Sequence, residues 1–463
     1  MGLEGARLSQ IWTPREHQLL AAQFLFDNKR CSLWAHPGLG KTSICYRLFD
    51  LMQMCGSNYF PALVVAPLAV ARDVWPDEQR KWSDFTGLRV VNITGTSAQR
   101  AACLTYRAEV YTINYENLTW LVNFLGDRWP FRMVIADEST RLRGFRLMKK
   151  GTKRATALQS VAHKTGRWIN LTGTPSPHGL ESLWGQQYFI DYGGRLGLTY
   201  GDFMSRWFVV SAYTREVTPR PGAREQIYAA LADCTMALRA EDWLDVKEPH
   251  FFRKDVKLPD DARTHYRTME RKMFTELADN RILAINGAVK TLKLIQIASG
   301  SIYDANGDHH SLHEAKVEAL RSLYDELGEP LLVVYHFKFD AERVVKEFPE
   351  CRIYRGPNDA ADWNAGKLRM MLIHPKSAGH GLSLQHGGRA VCFYTNTWDL
   401  ELRLQALERI GPARQLLSGY DRAVLIYDLV AEATVDTDVL NRLEGRATEQ
   451  EALMAARARA LAT

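Results

Sequence analysis

The chain has 463 residues, 46% of them apolar and 24% charged, and its 59 Lys+Arg against 53 Asp+Glu leave a formal charge of only +6. That composition belongs to a cytosolic globular protein with roughly two to four domains, and it excludes a small disulfide scaffold. Cys31, Cys45, Cys55, Cys103, Cys234, Cys351 and Cys392 are scattered, odd in number and free of C-x-x-C pairs, so neither a disulfide framework nor a zinc module is indicated. The opening residues lack the apolar stretch of a signal peptide, and the uncharged stretch Leu51 to Ala71 is broken by Gly56, Pro61 and Pro67, so no membrane partner is expected. The expected location is the cytoplasm. No run of basic residues marks a nucleic-acid-binding arm or tail.

Short β-rich apolar runs spaced by helical patterns begin with CSLWA (from Cys31) and ALVVAP (from Ala62). RVVNI (from Arg89), EVYTIN (from Glu109), RMVIADE (from Arg132) and RWINLTGTP (from Arg167) follow. A second set comprises PLLVVYH (from Pro330), CRIY (from Cys351), LRMMLIHP (from Leu368), RAVCFYTN (from Arg389) and AVLIYDLV (from Ala423). Runs of this kind read as buried parallel strands, so two α/β lobes are expected, each a parallel sheet flanked by helices. The expected divisions are a first lobe over 1–200, a helical insert and linker over 201–328, a second lobe over 329–440, and a short helical tail over 441–463.

The run CSLWA leads through AHPGLGKTS into a helical pattern. Strand, glycine-rich turn and helix start is the context of a phosphate-binding loop. Gly38, Leu39 and Gly40 would offer backbone N–H groups to phosphate oxygens, Lys41 would reach the β/γ-phosphates, and Thr42, followed by Ser43, would place a hydroxyl on magnesium. Ala35 stands at the first glycine position of the strict pattern. His36 reads as a residue that shapes the loop.

The strand RMVIADE ends in Asp137 and Glu138. Asp137 would hold magnesium, and Glu138 would orient or deprotonate an attacking water. Thr172, Gly173 and Thr174 form a hydroxyl-rich turn that could sense a γ-phosphate, or simply a polar turn closed by Pro175 and Pro177. The spacing of His309, His310 and His313 is that of a solvated loop before a helix.

Taken in order, these residues resemble the Swi/Snf-like branch of superfamily 2 helicases, in a compact bacteriophage-type form. PREHQ is similar to the adenine-reading motif, with Gln18 and Arg15 as its candidates and His17 where Tyr is usual. AHPGLGKT resembles motif I. VVAPLAVARDVWPDEQRKW resembles motif Ia with Pro67, Trp75 and Trp82 in place, and YTINYENL resembles motif Ib at Asn114 and Tyr115. DEST fills motif II, with Ser139 and Thr140 where the branch commonly has Ala and His. LTGTPSPHGLESLW resembles motif III, with His178 for a common Asn, and LLVVYHFKFDAERV resembles motif IV. SAGHGLSLQ resembles motif V, bringing in Ser377, Gly379 and Gly381, and Trp398 matches an aromatic that follows it. QALERIGPARQ resembles motif VI, in which Gln405, Arg409 and Gln415 align but Pro412 stands at the usual arginine finger, leaving Arg409 or Arg414 to take that role.

The resemblance implies two RecA-like lobes, ATP and Mg2+ as cofactors, and a monomeric, DNA-dependent ATPase that translocates along or remodels DNA. Duplex or branched DNA is the implied partner in preference to RNA, with a replication or recombination protein as a further one. Pro67, Asn114, Tyr115 and Ser377 are implied DNA contacts. Thr172, Gly173, Thr174, Gly379, Gly381 and Gln405 are implied coupling residues. An ATP-gated DNA clamp or recombination accessory factor that does not translocate is the alternative.

Overall fold

The computed structural model describes residues 10–147, 151–211, 217–279, 283–376 and 382–459. The chain divides into two units, one running to Leu244 and resuming at Thr448, the other Asp245–Ala447.

In the first unit seven strands are, in chain order, β1 (Arg30–Ala35), β2 (Ala62–Ala66), β3 (Val90–Ile93), β4 (Val110–Asn114), β5 (Met133–Asp137), β6 (Arg167–Thr172) and, after the two-stranded hairpin β7 (Phe208–Val210) and β8 (Val217–Pro219), β9 (Thr235–Leu238). They form one sheet in the order β3-β4-β2-β5-β6-β1-β9, and each printed pairing within it is parallel. Strands β2, β4, β5 and β6 are buried along their whole length. That is why they read as continuous apolar runs without alternation: helices cover both faces of a parallel sheet.

The second unit holds β10 (His250–Val256), the antiparallel pair β11 (Ser301–Tyr303) and β12 (His309–Ser311), then β13 (Leu331–Val334), β14 (Arg352–Ile353), β15 (Met370–Ile373), β16 (Ala390–Phe393) and β17 (Leu425–Ala431). Its parallel six-stranded sheet is ordered β10-β17-β16-β13-β15-β14. Successive side chains point to opposite faces, and two separate cores result. Leu331, Val333, Met370, Leu372 and Cys392 pack into one, and Leu332, Val334, Met371, Ile373 and Val391 into the other.

The expected helical insert over 201–328 is corrected. Besides helices such as Asp260–Asp279 and Leu283–Ser299, this stretch contains β9, which completes the first sheet beside β1, and β10, which completes the second beside β17. Both are edge strands. Strand β10 (HFFRKDV) is exposed along most of its length and carries charges, so it lacks the apolar run that marks a buried strand. The C-terminal helix is present and begins earlier than expected, spanning Val435–Arg459. Among the described residues, no helix is long and apolar enough to cross a membrane.

The three histidines of the second unit go to separate partners. His310 pairs with Asp304 at 3.1 Å, His309 faces Glu342 at 3.7 Å, and the buried His313 bonds the Ile297 carbonyl at 2.9 Å.

Candidate active site

Parallel pairing puts the C-terminal ends of β1, β6 and β5 side by side at one sheet edge, with Trp34 opposite Thr172 and Asp137 opposite Leu171. The glycine-rich loop leaves β1 at this edge and the helix Lys41–Met54 begins directly after it. Gly38 and Gly40 have φ of 87° and 83°. At Gly40 a side chain would be strained by the backbone and would also collide with the Gln18 amide. Lys41 Nζ donates to the Ala35 carbonyl at 2.7 Å, folding the side chain back along the loop, and Ser43 Oγ donates to Gly40 O at 2.9 Å.

The buried Leu39 anchors the loop from the other side. Its carbonyl accepts from Gln18 Nε2 at 3.3 Å and from His17 Nε2 at 3.2 Å. Burial lowers the pKa of His17, and its Nε2 faces a carbonyl that can only accept, so that nitrogen carries a proton. The Gln18 Oε1 accepts from the Arg15 backbone N–H at 2.9 Å. One end of the Gln18 amide therefore holds the loop and the other caps the start of its own helix. His36 does shape the loop: its N–H donates to Leu238 O at 2.9 Å and its Nδ1 accepts from Ala240 N at 3.2 Å.

Asp137 ends β5 with 6% of its surface exposed. Burial raises its pKa, against a hydrogen bond from Trp75 and the charge of Lys41. The Trp75 Nε1–H donates to Asp137 Oδ2 at 2.9 Å, and Trp75 is itself fixed by the Tyr46 hydroxyl on its carbonyl at 2.7 Å. Glu138 has a left-handed backbone, φ 56° and ψ 57°. For a residue with a side chain this costs on the order of 1–3 kcal/mol and is found where a site needs it. The fully buried Tyr115 holds the turn, its hydroxyl donating to the carbonyls of Asp137 (2.9 Å) and Glu138 (3.3 Å).

The turn after β6 lies between these two strand ends. A Cβ on Gly173 would meet Pro37 Cδ at 3.1 Å and Ala35 O at 3.2 Å, so the turn packs directly against the glycine-rich loop. Thr172 Oγ1 accepts from the Thr174 N–H at 3.0 Å.

Gln186, on the helix Leu183–Asp191, ties this turn to the carboxylate strand: its Nε2 donates to Pro175 O at 2.7 Å and its Oε1 accepts from Ser139 Oγ at 2.8 Å. Sequence reasoning missed Gln186. Ser139 was visible only as a departure from the usual motif II. Replacing Gln186 with Leu leaves two buried polar groups unpaired, each worth about 1–3 kcal/mol. A fall in unfolding free energy of that size is expected from urea denaturation, and an unchanged value would show that the bridge carries no stability.

Three of the residues implied as DNA contacts are buried, which corrects that assignment for their side chains. Pro67 is enclosed. Asn114 is 5% exposed, with its amide bonded to Glu116 at 2.9 Å and Asn117 at 2.6 Å. Tyr115 is the inward prop described above. Ser377, Gly379 and Gly381 lie outside the described residues.

In the second unit motif VI is split into two helices, Leu400–Leu407 and Pro412–Leu417, with Pro412 at the first turn of the second. Proline suits that position because its fixed φ is helical and its missing N–H would be unpaired there anyway. Arg409 is 2% exposed and its NH1 reaches Leu382 O at 3.5 Å. Arg414 donates to Ser383 Oγ at 2.6 Å, and burial lowers its pKa. Gln405 is half-buried, 3.4 Å from Glu401. Gln415 is a buried clamp, donating to Gly388 O at 2.9 Å and Ile410 O at 3.1 Å. Arg403, which the sequence did not single out, grips Asp428 with two hydrogen bonds of 2.6 and 2.8 Å and so sets the helix that leads to Arg409.

A phosphate-type loop and a strand-end carboxylate pair flanking one central strand of a parallel sheet define the P-loop α/β class, in its helicase-like form. Residues 17–194 match the family model of the SNF2-related domain. Protein p41 of Acyrthosiphon pisum secondary endosymbiont phage 1 is 46% identical over 456 residues, covering 96% of this chain and 99% of that protein. The chain belongs to the SNF2-related family, the Swi/Snf-like branch of superfamily 2.

Two Arabidopsis thaliana proteins are similar over a shorter stretch. Protein CHROMATIN REMODELING 5 is 27% identical over 39% of this chain and 11% of its own length. ATP-dependent helicase BRM is 26% identical over 38% of this chain and 8% of its own length. This chain thus spans only a small part of those two relatives. Among solved structures, the Sulfolobus solfataricus SWI2/SNF2 ATPase core in complex with dsDNA is 16% identical, with a TM-score of 0.45 over 99% of this chain and 96% of that one.

Proposed function

We propose that this protein is a DNA-dependent ATPase that couples ATP hydrolysis to translocation along, or remodelling of, DNA. The observation that carries the proposal is the meeting of Lys41, Thr42, Asp137 and Glu138 at the ends of β1 and β5 on one sheet edge. Lys41 exchanges the Ala35 carbonyl for the β/γ-phosphates of ATP, and the N–H groups of Gly38 to Lys41 cradle phosphate oxygens.

The hydroxyl of Thr42 and the carboxylate of Asp137 are the hard oxygen donors that Mg2+ takes. The nearly buried Asp137, with Lys41 and Trp75 favouring its charged form, suits a cation. When bound, Mg2+ would neutralise phosphate charge. Glu138 receives the proton of the attacking water, its side chain aimed by the left-handed turn. The Thr172 to Thr174 turn, packed under the loop and bridged to Ser139 by Gln186, passes the state of the phosphates on.

Membership of a family that includes an ATP-dependent helicase and a mouse protein called DNA excision repair protein ERCC-6-like, 26% identical over 52% of this chain and 19% of its own length, supports DNA in preference to RNA. A monomer acting in the cytoplasm, with a replication or recombination protein as partner, fits this role. The test is ATP turnover with duplex DNA, single-stranded DNA, branched DNA and RNA, together with displacement of a triplex strand. Turnover stimulated by DNA with directional displacement is expected. Equal turnover without DNA would overturn the proposal.

One observation favours the second reading, an ATP-gated clamp. Both motif VI arginines are engaged by residues 382 and 383, so a finger must leave its present partner to act. Arg409→Ala and Arg414→Ala, assayed separately, are expected to differ, the finger variant losing on the order of 10³-fold in kcat. Small and equal losses would favour the clamp.

A further inference from the structure

The segment Arg141–Arg154 carries seven Lys and Arg and no acidic residue, which escaped notice as a basic run because apolar residues and glycines are interleaved. Two of these cations converge on the Tyr115–Glu116 corner. The guanidinium carbons of Arg141 and Arg154 lie 5.7 and 5.9 Å from the Tyr115 ring centroid. Each faces the same Glu116 oxygen, at 3.2 and 3.8 Å, and the side chains of Arg141, Arg154 and Glu116 are 29%, 33% and 54% exposed.

One carboxylate against two guanidiniums leaves a single positive charge at the rim, which matches the single negative charge of a phosphodiester. Guanidinium forks are well suited to phosphate oxygens, and the Arg154 Nε has no hydrogen-bond partner among the described residues.

The same corner is joined to the carboxylate pair. The Arg141 backbone N–H donates to Glu138 O at 3.0 Å, and the Tyr115 hydroxyl donates to that carbonyl and to Asp137 O.

We propose that Arg141 and Arg154 form a seat for one backbone phosphate of the bound DNA, that Glu116 is the counter-ion the phosphate displaces, and that Tyr115 is a positioning residue transmitting the seating to the Asp137–Glu138 turn. This rests on the DNA-dependent reading above.

The experiment is duplex binding by fluorescence anisotropy across a salt series, with DNA-saturated kcat and ATP KM measured in parallel on the full chain. Losing one phosphate contact reduces the slope of log K against log salt by about 0.9. Arg141→Ala and Arg154→Ala are each expected to show that reduction, and the double variant the same, since both act on one phosphate. Glu116→Gln should tighten duplex binding, a gain that structural damage would not produce. Tyr115→Phe should keep the wild-type salt slope and ATP KM while kcat falls about five- to tenfold, the value of one hydrogen bond.

Wild-type slopes in both arginine variants, or weaker binding by Glu116→Gln, would overturn the seat. Wild-type kcat in Tyr115→Phe would overturn the transmission. Absence of salt-dependent duplex binding by the wild-type chain would instead overturn the DNA-dependent reading itself.

Discussion

Lys41→Ala and Glu138→Gln are each expected to abolish ATP turnover, the first by about 10²–10³-fold and the second by about 10²–10⁴-fold in kcat. The reasons differ, and so should the binding. In the proposed site Lys41 is the cation of a loop whose other phosphate ligands would be backbone N–H groups, so its loss should weaken nucleotide affinity as well as catalysis. Glu138→Gln keeps the shape of the side chain and removes only its capacity to take a proton. It should therefore bind a fluorescent ATP analogue as the wild type does. Either variant turning over ATP near the wild-type rate with DNA present would refute the assignment.

The second large effect concerns stability. Lys316 is fully buried, with its Nζ 2.7 Å from Asp436 Oδ2 and 3.1 Å from the Tyr394 carbonyl. The pair joins the helix Ala315–Leu327 to the start of the C-terminal helix, within the second unit. Lys316→Ala leaves the Asp436 carboxylate buried and unmatched, and removing one partner of a buried pair costs about 3–5 kcal/mol. Urea unfolding should show a loss of that size. Arg321→Ala, which breaks the Arg321–Glu347 pair with both side chains 44% exposed, should change stability by about 0–1 kcal/mol. Equal losses from the two would mean that burial does not govern these pairs.

Lys316 illustrates what sequence patterning cannot reach. On the page it is one lysine at the start of an amphipathic helix, indistinguishable from a solvated one. Trp75 is similar: its place in motif Ia was legible, but its bond to Asp137 spans 62 positions of sequence. Tyr115 was legible as a motif Ib residue and was given the wrong surface, because a motif records which residue recurs and not which way it points. Strand β10 was missed because it is an edge strand exposed and charged along most of its length, and β9 because its four buried residues are too short a run to stand out.

The strands that build the two sheet centres, the glycine-rich loop between strand and helix, and the Asp137–Glu138 strand end were all determined by the sequence alone, because burial on both faces and a glycine-rich turn before a helix leave local, periodic marks. The tertiary structure alone decided the strand order that sets β1 and β5 on either side of β6, the Gln186 bridge from Ser139 to Pro175, and the inward turn of Tyr115. Each of these depends on a contact between residues far apart in the chain, where the energy lies in burial and hydrogen-bond pairing that no local pattern encodes.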